Sequence, residues 1–338
     1  LAERYKKLVQ RLSDINYETI SDATVLQTVA VLLDGECKKK TILKLKKSDF
    51  IDIWDDAVDA IEHAAEYFRN YYRIPVSQLL PYKALIVPFA YFFYRYKKKP
   101  TGTRQKYLQD FFWRVSLGTR YSASLETKLA QDIKKIDSIL DDQLPRYEWA
   151  IDTSPQFITD NGQFSANRAF VKALLCLYAY HEPKSFVDDS IVNIGNYWLK
   201  QANSKNYHHF FPKAFLNKKL DWEYKDFYIN HILNITIVDD YLNKREIAAK
   251  PPSQYMKAFR RTNKELDTTM KSHLITDLEK FGVWTNDYDA FLKQRAKAVS
   301  TALKRRLIDQ EIDHTMAATI SDDYDFADGE ADESVVEE

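Results

Sequence analysis

The run Tyr207-His-His-Phe-Phe-Pro-Lys213 and the run Asn230-His-Ile-Leu-Asn-Ile-Thr-Ile-Val-Asp-Asp-Tyr-Leu-Asn243 interrupt a pattern that is helical on both sides. Residues 232–238 are β-branched and alternating, which predicts a strand, and residues 207–211 predict a second. Residues 190–194 read as a further short strand. Pro212 would end the strand that carries His208 and His209, because proline removes a ladder donor. Residues 241–249 read as a short helix stopped by Pro251-Pro252. A strand, a loop, a strand and a helix are thus predicted to bring together His208, His209, Asn234 and Asn243.

The flanks read differently. Over residues 49–72, Phe50, Trp54, Ala57, Val58, Ile61, Ala64, Ala65 and Phe68 recur at three- and four-residue steps. That spacing is one face of a helix, and Ser48 stands where an N-cap is expected. Further helices are predicted after Pro81, from about Arg104, over 124–140 and over 166–180. Past the strands, two long helices are predicted over 253–281 and 287–307. With 7 Gly and 10 Pro in 338 residues, breakers are scarce, which agrees with a mainly helical chain. The aromatic residues of the helical half are expected in its core.

Charge is uneven. The formal net charge is zero, but residues 321–338 hold nine acids and no Lys or Arg, leaving 49 basic and 40 acidic residues in 1–320. A basic body suits a polyanionic partner, and the acidic tail 311–338 has the composition of a disordered segment. Arg114 and Arg120 could touch DNA or a partner domain, but helix-face arginines are ordinarily solvated. Cys37 and Cys176 offer no Cys-x-x-Cys metal pair and no disulfide framework, so an intracellular, cytoplasmic protein is expected, with Cys176 a buried free thiol. No apolar run reaches membrane-spanning length, so no membrane partner is expected. A first residue of Leu rather than Met suggests a piece of a longer protein.

The chemistry that such residues could perform is phosphodiester hydrolysis. An attacking water must lose a proton, and charge developing on the phosphate and leaving oxygen must be stabilised. A neutral His takes a proton near pH 7. A hard divalent cation held by few protein ligands stabilises the leaving oxygen. Neighbouring histidines on a strand point to opposite faces, so one can serve as base and the other as ligand if the strand ends there.

The stretch resembles the HNH, or ββα-metal, nuclease motif. On that resemblance His208 takes the place of the first metal ligand, His209 of the general base and Pro212 of the proline. Asn234 takes the central Asn, which braces the loop, and Asn243 the last metal ligand, nine residues on. Many members carry Asp where His208 stands; the change makes the site less acidic and shifts its metal from Mg²⁺ towards Mn²⁺ or Ni²⁺. Lys213, Lys244 and Arg245 flank the motif and are candidates for DNA phosphates. His231 is expected to be structural or solvent-facing, and Asp239 and Asp240 to cap the helix of Asn243.

The helical half is similar to GmrSD-like modification-dependent restriction enzymes. The stretches that carry this are Val25-Leu-Gln-Thr-Val-Ala-Val-Leu-Leu, Leu80-Pro-Tyr-Lys-Ala-Leu-Ile-Val-Pro-Phe-Ala and Phe112-Trp-Arg-Val-Ser-Leu-Gly-Thr-Arg-Tyr-Ser. Beyond the motif, Lys250-Pro-Pro-Ser-Gln-Tyr255 and Tyr288-Asp-Ala-Phe-Leu-Lys-Gln-Arg-Ala296 add to it. The resemblance implies a ParB-like NTPase domain with an Asp-Gly-Gln-Gln-Arg motif. This sequence has no such motif and no P-loop, so that sensing domain would be a partner absent from the chain.

The expected architecture is therefore mainly α, a helical domain with an embedded small ββα-metal (HNH, His-Me finger) module. The expected units are 1–150 helical, 151–189 connecting helix, 190–252 HNH module, 253–310 C-terminal helices and 311–338 tail. The expected function is a metal-dependent DNA endonuclease of a restriction or antiviral defence system. It would act on double-stranded DNA, modified or unmodified, with one Mg²⁺ or Mn²⁺ (or Ni²⁺), and a homodimer would suit two cuts. The alternatives are a catalytically inactive HNH-like DNA-binding or scaffold module, and a hydrolase of other phosphodiesters.

Overall fold

The computed structural model describes residues 2–194, 207–221, 223, 225–238, 247 and 249–313. Asp239, Asp240, Asn243, Lys244, Arg245 and residues 314–338 lie outside the described residues, as does most of the helix expected over 241–249. Among the described residues the chain is mainly helical, with one small sheet of two strands.

Nine α-helices among the described residues precede the strands: α1 (Ala2–Ser13), α2 (Asp22–Asp34), α3 (Lys39–Ile42), α4 (Lys47–Asn70), α5 (Ile86–Arg95), α6 (Gly102–Leu117), α7 (Leu125–Leu140), α8 (Pro155–Asn161) and α9 (Ala169–Tyr180). The face predicted over 49–72 is the buried face of α4: Trp54, Ala57, Val58, Ile61, Ala64, Ala65 and Phe68 are all buried. The expected cap is not. The helix begins at Lys47, before Ser48, whose hydroxyl turns to Asp49 Oδ1 at 2.9 Å. Caps operate elsewhere, where Ser21 Oγ accepts from Thr24 N and Ser154 Oγ from Phe157 N.

Helix α5 is apolar almost all round and is buried from Ile86 to Phe93. It is the axis of the helical half, with α4, α2 and α7 packed around it. Aromatic rings fill the joints. Phe68 lies 4.6 Å from Phe89, and Tyr72 stacks on Phe112 at 4.3 Å. Each such fully buried side chain contributes about 1.5–3 kcal/mol. Cys37 and Cys176 are buried free thiols; burial, with Glu126 and Glu36 beside it, pushes Cys37 up to about 12.

The strands are β1 (Tyr207–His209) and β2 (Ile235–Ile237), antiparallel, with Tyr207 opposite Ile237, His208 opposite Thr236 and His209 opposite Ile235. Between them lie α10 (Lys213–Lys219) and α11 (Lys225–Ile229). The strand predicted over 232–238 starts late, because Ile232–Asn234 form a 3-10 turn. His231 Nδ1 accepts from Leu233 N at 3.1 Å and closes that turn. The region 190–194 contributes a single bridge, Lys184 to Ile191.

The last helices are α12 (Pro252–Thr262), α13 (Leu266–Ser272) and α14 (Tyr288–Lys304). The single helix predicted over 253–281 is thus two helices broken at Asn263. That side chain bonds the Phe186 carbonyl and Thr269 Oγ1, both at 3.1 Å, and caps Glu265 N at 2.9 Å. An Asn that competes for backbone groups in this way ends a helix. Helix α14 starts at the Asp287 cap and packs on α8 and on the 3-10 turn that precedes β2.

Candidate functional site

The antiparallel register sets the site. Strand β1 ends at His209, so His208 and His209 leave the backbone on opposite sides of a two-residue edge. His208 turns inward and is 2% exposed. Its Nδ1 lies 3.1 Å from Thr236 Oγ1, and that hydroxyl donates to the His208 carbonyl at 3.3 Å. A carbonyl can only accept, so the hydroxyl proton goes to it and Nδ1–H donates to Oγ1. Nε2 is then the nitrogen with a lone pair, and it is buried without a hydrogen-bond partner among the described residues. Phe186 and Tyr255 stand edge-on to the ring at 6.3 and 6.1 Å. Burial, then the neighbouring His209 and His273, holds the imidazole well below its ordinary pKa.

His209 is half-buried and faces Asn230, whose Oδ1 lies 3.1 Å from Nε2. The Asn230 amide is oriented by its own bond from Nδ2 to the Phe164 carbonyl, at 3.2 Å. With Oδ1 as acceptor, Nε2 carries the hydrogen of His209 and Nδ1 keeps the lone pair. Burial, then the Lys213 charge, pushes His209 down to about 4 against the opposing pull of Asn230. The ring is therefore neutral at pH 7, with one nitrogen oriented to receive a proton. Asn230 was not singled out in the sequence; its position, just ahead of the Asn234 strand, is the signal that points to it.

Asn234 is fully buried and braces the chain beyond His209. Its Oδ1 accepts from Phe211 N at 2.8 Å, and its Nδ2 donates to the Phe211 and Ile229 carbonyls at 3.0 and 3.2 Å. The Asn234 carbonyl takes Phe210 N at 2.8 Å. These bonds tie the exit of β1 to the end of α11. Further support comes from α12, where Tyr255 Oη donates to the Phe210 carbonyl, and from α14, where Arg295 Nη1 donates to the Leu233 carbonyl at 3.2 Å.

His231 is structural. Leu233 N–H occupies its Nδ1, so Nε2–H donates to the Thr159 carbonyl at 2.9 Å. Gly162 passes over the ring so closely that a Cβ there would lie 2.1 Å from His231 Cε1. Lys213 is exposed at the start of α10, close enough for its charge to act on His209. The structure thus brings His208, His209, Asn234 and Lys213 to one end of the hairpin. Asn243, Lys244 and Arg245 are outside the described residues, and among those described no three His, Cys, Asp or Glu side chains converge on a point.

Arg114 and Arg120 are not solvated. Arg114 Nε grips both oxygens of Asp110, and Arg120 Nε both oxygens of Asp132 at 2.8 and 2.9 Å. Arg120 also reaches Glu148 at 2.7 Å and lies 4.0 Å over the Trp149 ring. Both arginines are buried structural partners rather than surfaces for DNA.

No family model matches the chain. It is 24% identical over 295 residues to an uncharacterised protein of Methanocaldococcus jannaschii, a match that covers 79% of this chain and 47% of the relative. The chain spans about half the length of that relative. Among the described residues no helix is long and apolar enough to cross a membrane.

Proposed function

We propose that the chain is a metal-dependent DNA endonuclease of the HNH type, the effector half of a restriction or antiviral defence protein. The observation that carries the reading is the pairing of His209 with Asn230 beside the Asn234 brace. A neutral imidazole is fixed with Nε2–H on Asn230, which leaves the lone pair on Nδ1, at the point where the strand ends. In this reading Nδ1 takes the proton of the attacking water, while Nε2–H stays with Asn230. Lys213 holds a phosphate oxygen at the rim, and double-stranded DNA is the substrate.

The bare, buried Nε2 of His208 is the kind of donor a divalent metal takes. His208, with Asn243 beyond the described residues, would hold Mg²⁺, Mn²⁺ or Ni²⁺. When bound, such an ion would stabilise the charge on the departing 3′ oxygen.

The test is nicking of supercoiled plasmid with each of these metals. The parent chain should nick with at least one of them, and His209→Ala should fall by about 10²–10⁴. A His209→Ala rate equal to the parent removes the residue from the role of base. The second reading, an inactive HNH-like DNA-binding or scaffold module, rests on the burial of His208, which is 2% exposed. Salt-sensitive DNA retention with no cleavage in any metal would select it. An NTPase sensing domain and a homodimer belong to the first reading as partners.

A further inference from the structure

A cavity lined by basic residues lies away from the hairpin, between the C-terminal end of α9, residues 274–281 and the last turns of α14. Its volume is about 470 Å³. Lys297, Thr301 and Arg305 line it from one face of α14, at successive four-residue steps, and Arg306 closes the end. His181 and Thr276 face them from the other side. No carboxylate pairs with Lys297, Arg305 or Arg306 among the described residues. The nearby acids are engaged elsewhere: Glu182 with Arg73 at 2.8 Å, and Asp277 with Lys280 at 3.6 Å.

Basic residues in the last turn of a helix ordinarily answer its dipole. That accounts for Lys304 and Arg305, but three features need more. Lys297 stands two turns further back. Arg306 is 9% exposed; its Nη1 donates to the Ala302 carbonyl and its guanidinium lies 4.3 Å over the Tyr180 ring, with no acid beside it. Nε2 of His181 is buried and without a hydrogen-bond partner among the described residues. The ring is kept neutral by burial, then by the nearby Arg306, Arg73 and Arg305. Lys297 and Arg305 are exposed and hydrated, and with Arg306 they set uncompensated positive charge around one cavity, which favours an anion there. The remaining wall is apolar, from Leu274 and Phe281.

We propose that this cavity binds a small phosphorylated ligand of mononucleotide size. Lys297, Arg305 and Arg306 hold the phosphate. The Thr301 hydroxyl supplies a neutral donor, and the Leu274–Phe281 wall takes the apolar or ring portion. The volume lies within the range of small-molecule sites. Binding here is independent of whether His209 cuts DNA.

Isothermal titration of the full chain with pyrophosphate and with AMP at low ionic strength tests the assignment. Saturable binding of one molecule per chain is expected. Lys297 and Arg305 are exposed, so the Lys297→Ala/Arg305→Ala double variant should fold, which its melting curve checks. It should bind about tenfold more weakly or worse. Lys293→Ala/Lys304→Ala removes the same charge from the same helix outside the cavity, and should bind as the parent does. The proposal is overturned by no saturable binding at millimolar ligand, or by equal losses in the two double variants. It is overturned also if AMP fails to bind while a DNA duplex is retained and only Lys297→Ala/Arg305→Ala weakens it. That result would give the surface to a nucleic-acid backbone.

Discussion

Asn234 holds Phe211 by both of its backbone groups, taking the amide N–H at 2.8 Å and donating to the carbonyl at 3.0 Å. The side chain does what a neighbouring strand would do for a residue that has just left the sheet. Asn234→Ala leaves these two groups and the Ile229 carbonyl unsatisfied in the core. The expected cost is about 3 kcal/mol, since each orphaned buried group costs about 1–3 kcal/mol. Urea unfolding measures it. Asn234→Asp keeps the shape but not the donor, so it should remain close to Ala; an Asp variant as stable as the parent would show that the donor half is idle.

Asn230 fixes which nitrogen of His209 carries the hydrogen. If the chain is the nuclease proposed above, Asn230→Ala should reduce plasmid nicking by at least about tenfold through loss of orientation, with a smaller share of the effect in stability. The comparison is the single-turnover rate at saturating DNA against the melting temperature. A rate that falls only in proportion to unfolded protein would make Asn230 a structural residue alone.

Acid should unfold the chain through its buried imidazoles. Burial lowers His231 to about 4 and His273 to about 3, from an ordinary 6.5. Above pH 6.5 both are neutral, folded or unfolded, and contribute nothing to the pH dependence. Below it the unfolded chain takes protons that the folded chain refuses, so stability falls as pH drops from 6.5 towards 4. For His231 alone the loss approaches the order of 3 kcal/mol at the bottom of the window. Urea midpoints at pH 7.5, 6 and 5 check it, and a flat series would mean these rings accept protons without leaving their sites.

Asp132 neutralises Arg120 and accepts from Tyr121 Oη at 2.8 Å, with no access to water. Asp132→Ala should cost about 3–5 kcal/mol, because it leaves Glu148 alone to balance two buried cations, Arg120 and Lys135. Arg120→Met/Asp132→Leu removes both charges and should be more stable than either single change. At a temperature where the variants stay folded, DNA retention should match the parent. Weakened retention in folded Arg120→Met would return Arg120 to the list of DNA contacts.

The helical half was legible because its signal is long and redundant. The apolar steps from Trp54 to Phe68 repeat over four turns, and shifting any one of them leaves the pattern intact. The hairpin was legible as two polar clusters on β-type sequence. Its inner geometry was not, because three-residue strands leave no period to read. The 3-10 turn depends on His231 closing onto Leu233, a bond between a side chain and a backbone group that alternation does not encode. The break at Asn263 and the burial of Arg114 and Arg120 were missed for a related reason. Each is fixed by a partner far along the chain or by a competing backbone bond. Helix periodicity alone cannot tell a salt-bridged arginine from a solvated one.

Phe210 stacks on Phe291 at 4.9 Å with the ring planes 1° apart, and Tyr178 Oη donates to the Ile232 carbonyl at 3.2 Å. One partner lies on α9 and the other on α14, on either side of the hairpin in sequence. The hairpin therefore has no floor of its own to carry away. A graft of residues 190–252 into another scaffold would expose Phe210 and leave the Leu233 carbonyl without Arg295. Transplanting the site would require α8, α9, α12 and α14 to travel with it, because Thr159 and Phe164 hold His231 and Asn230, so the unit that evolution or an engineer can shuffle runs from about Pro155 to Lys304.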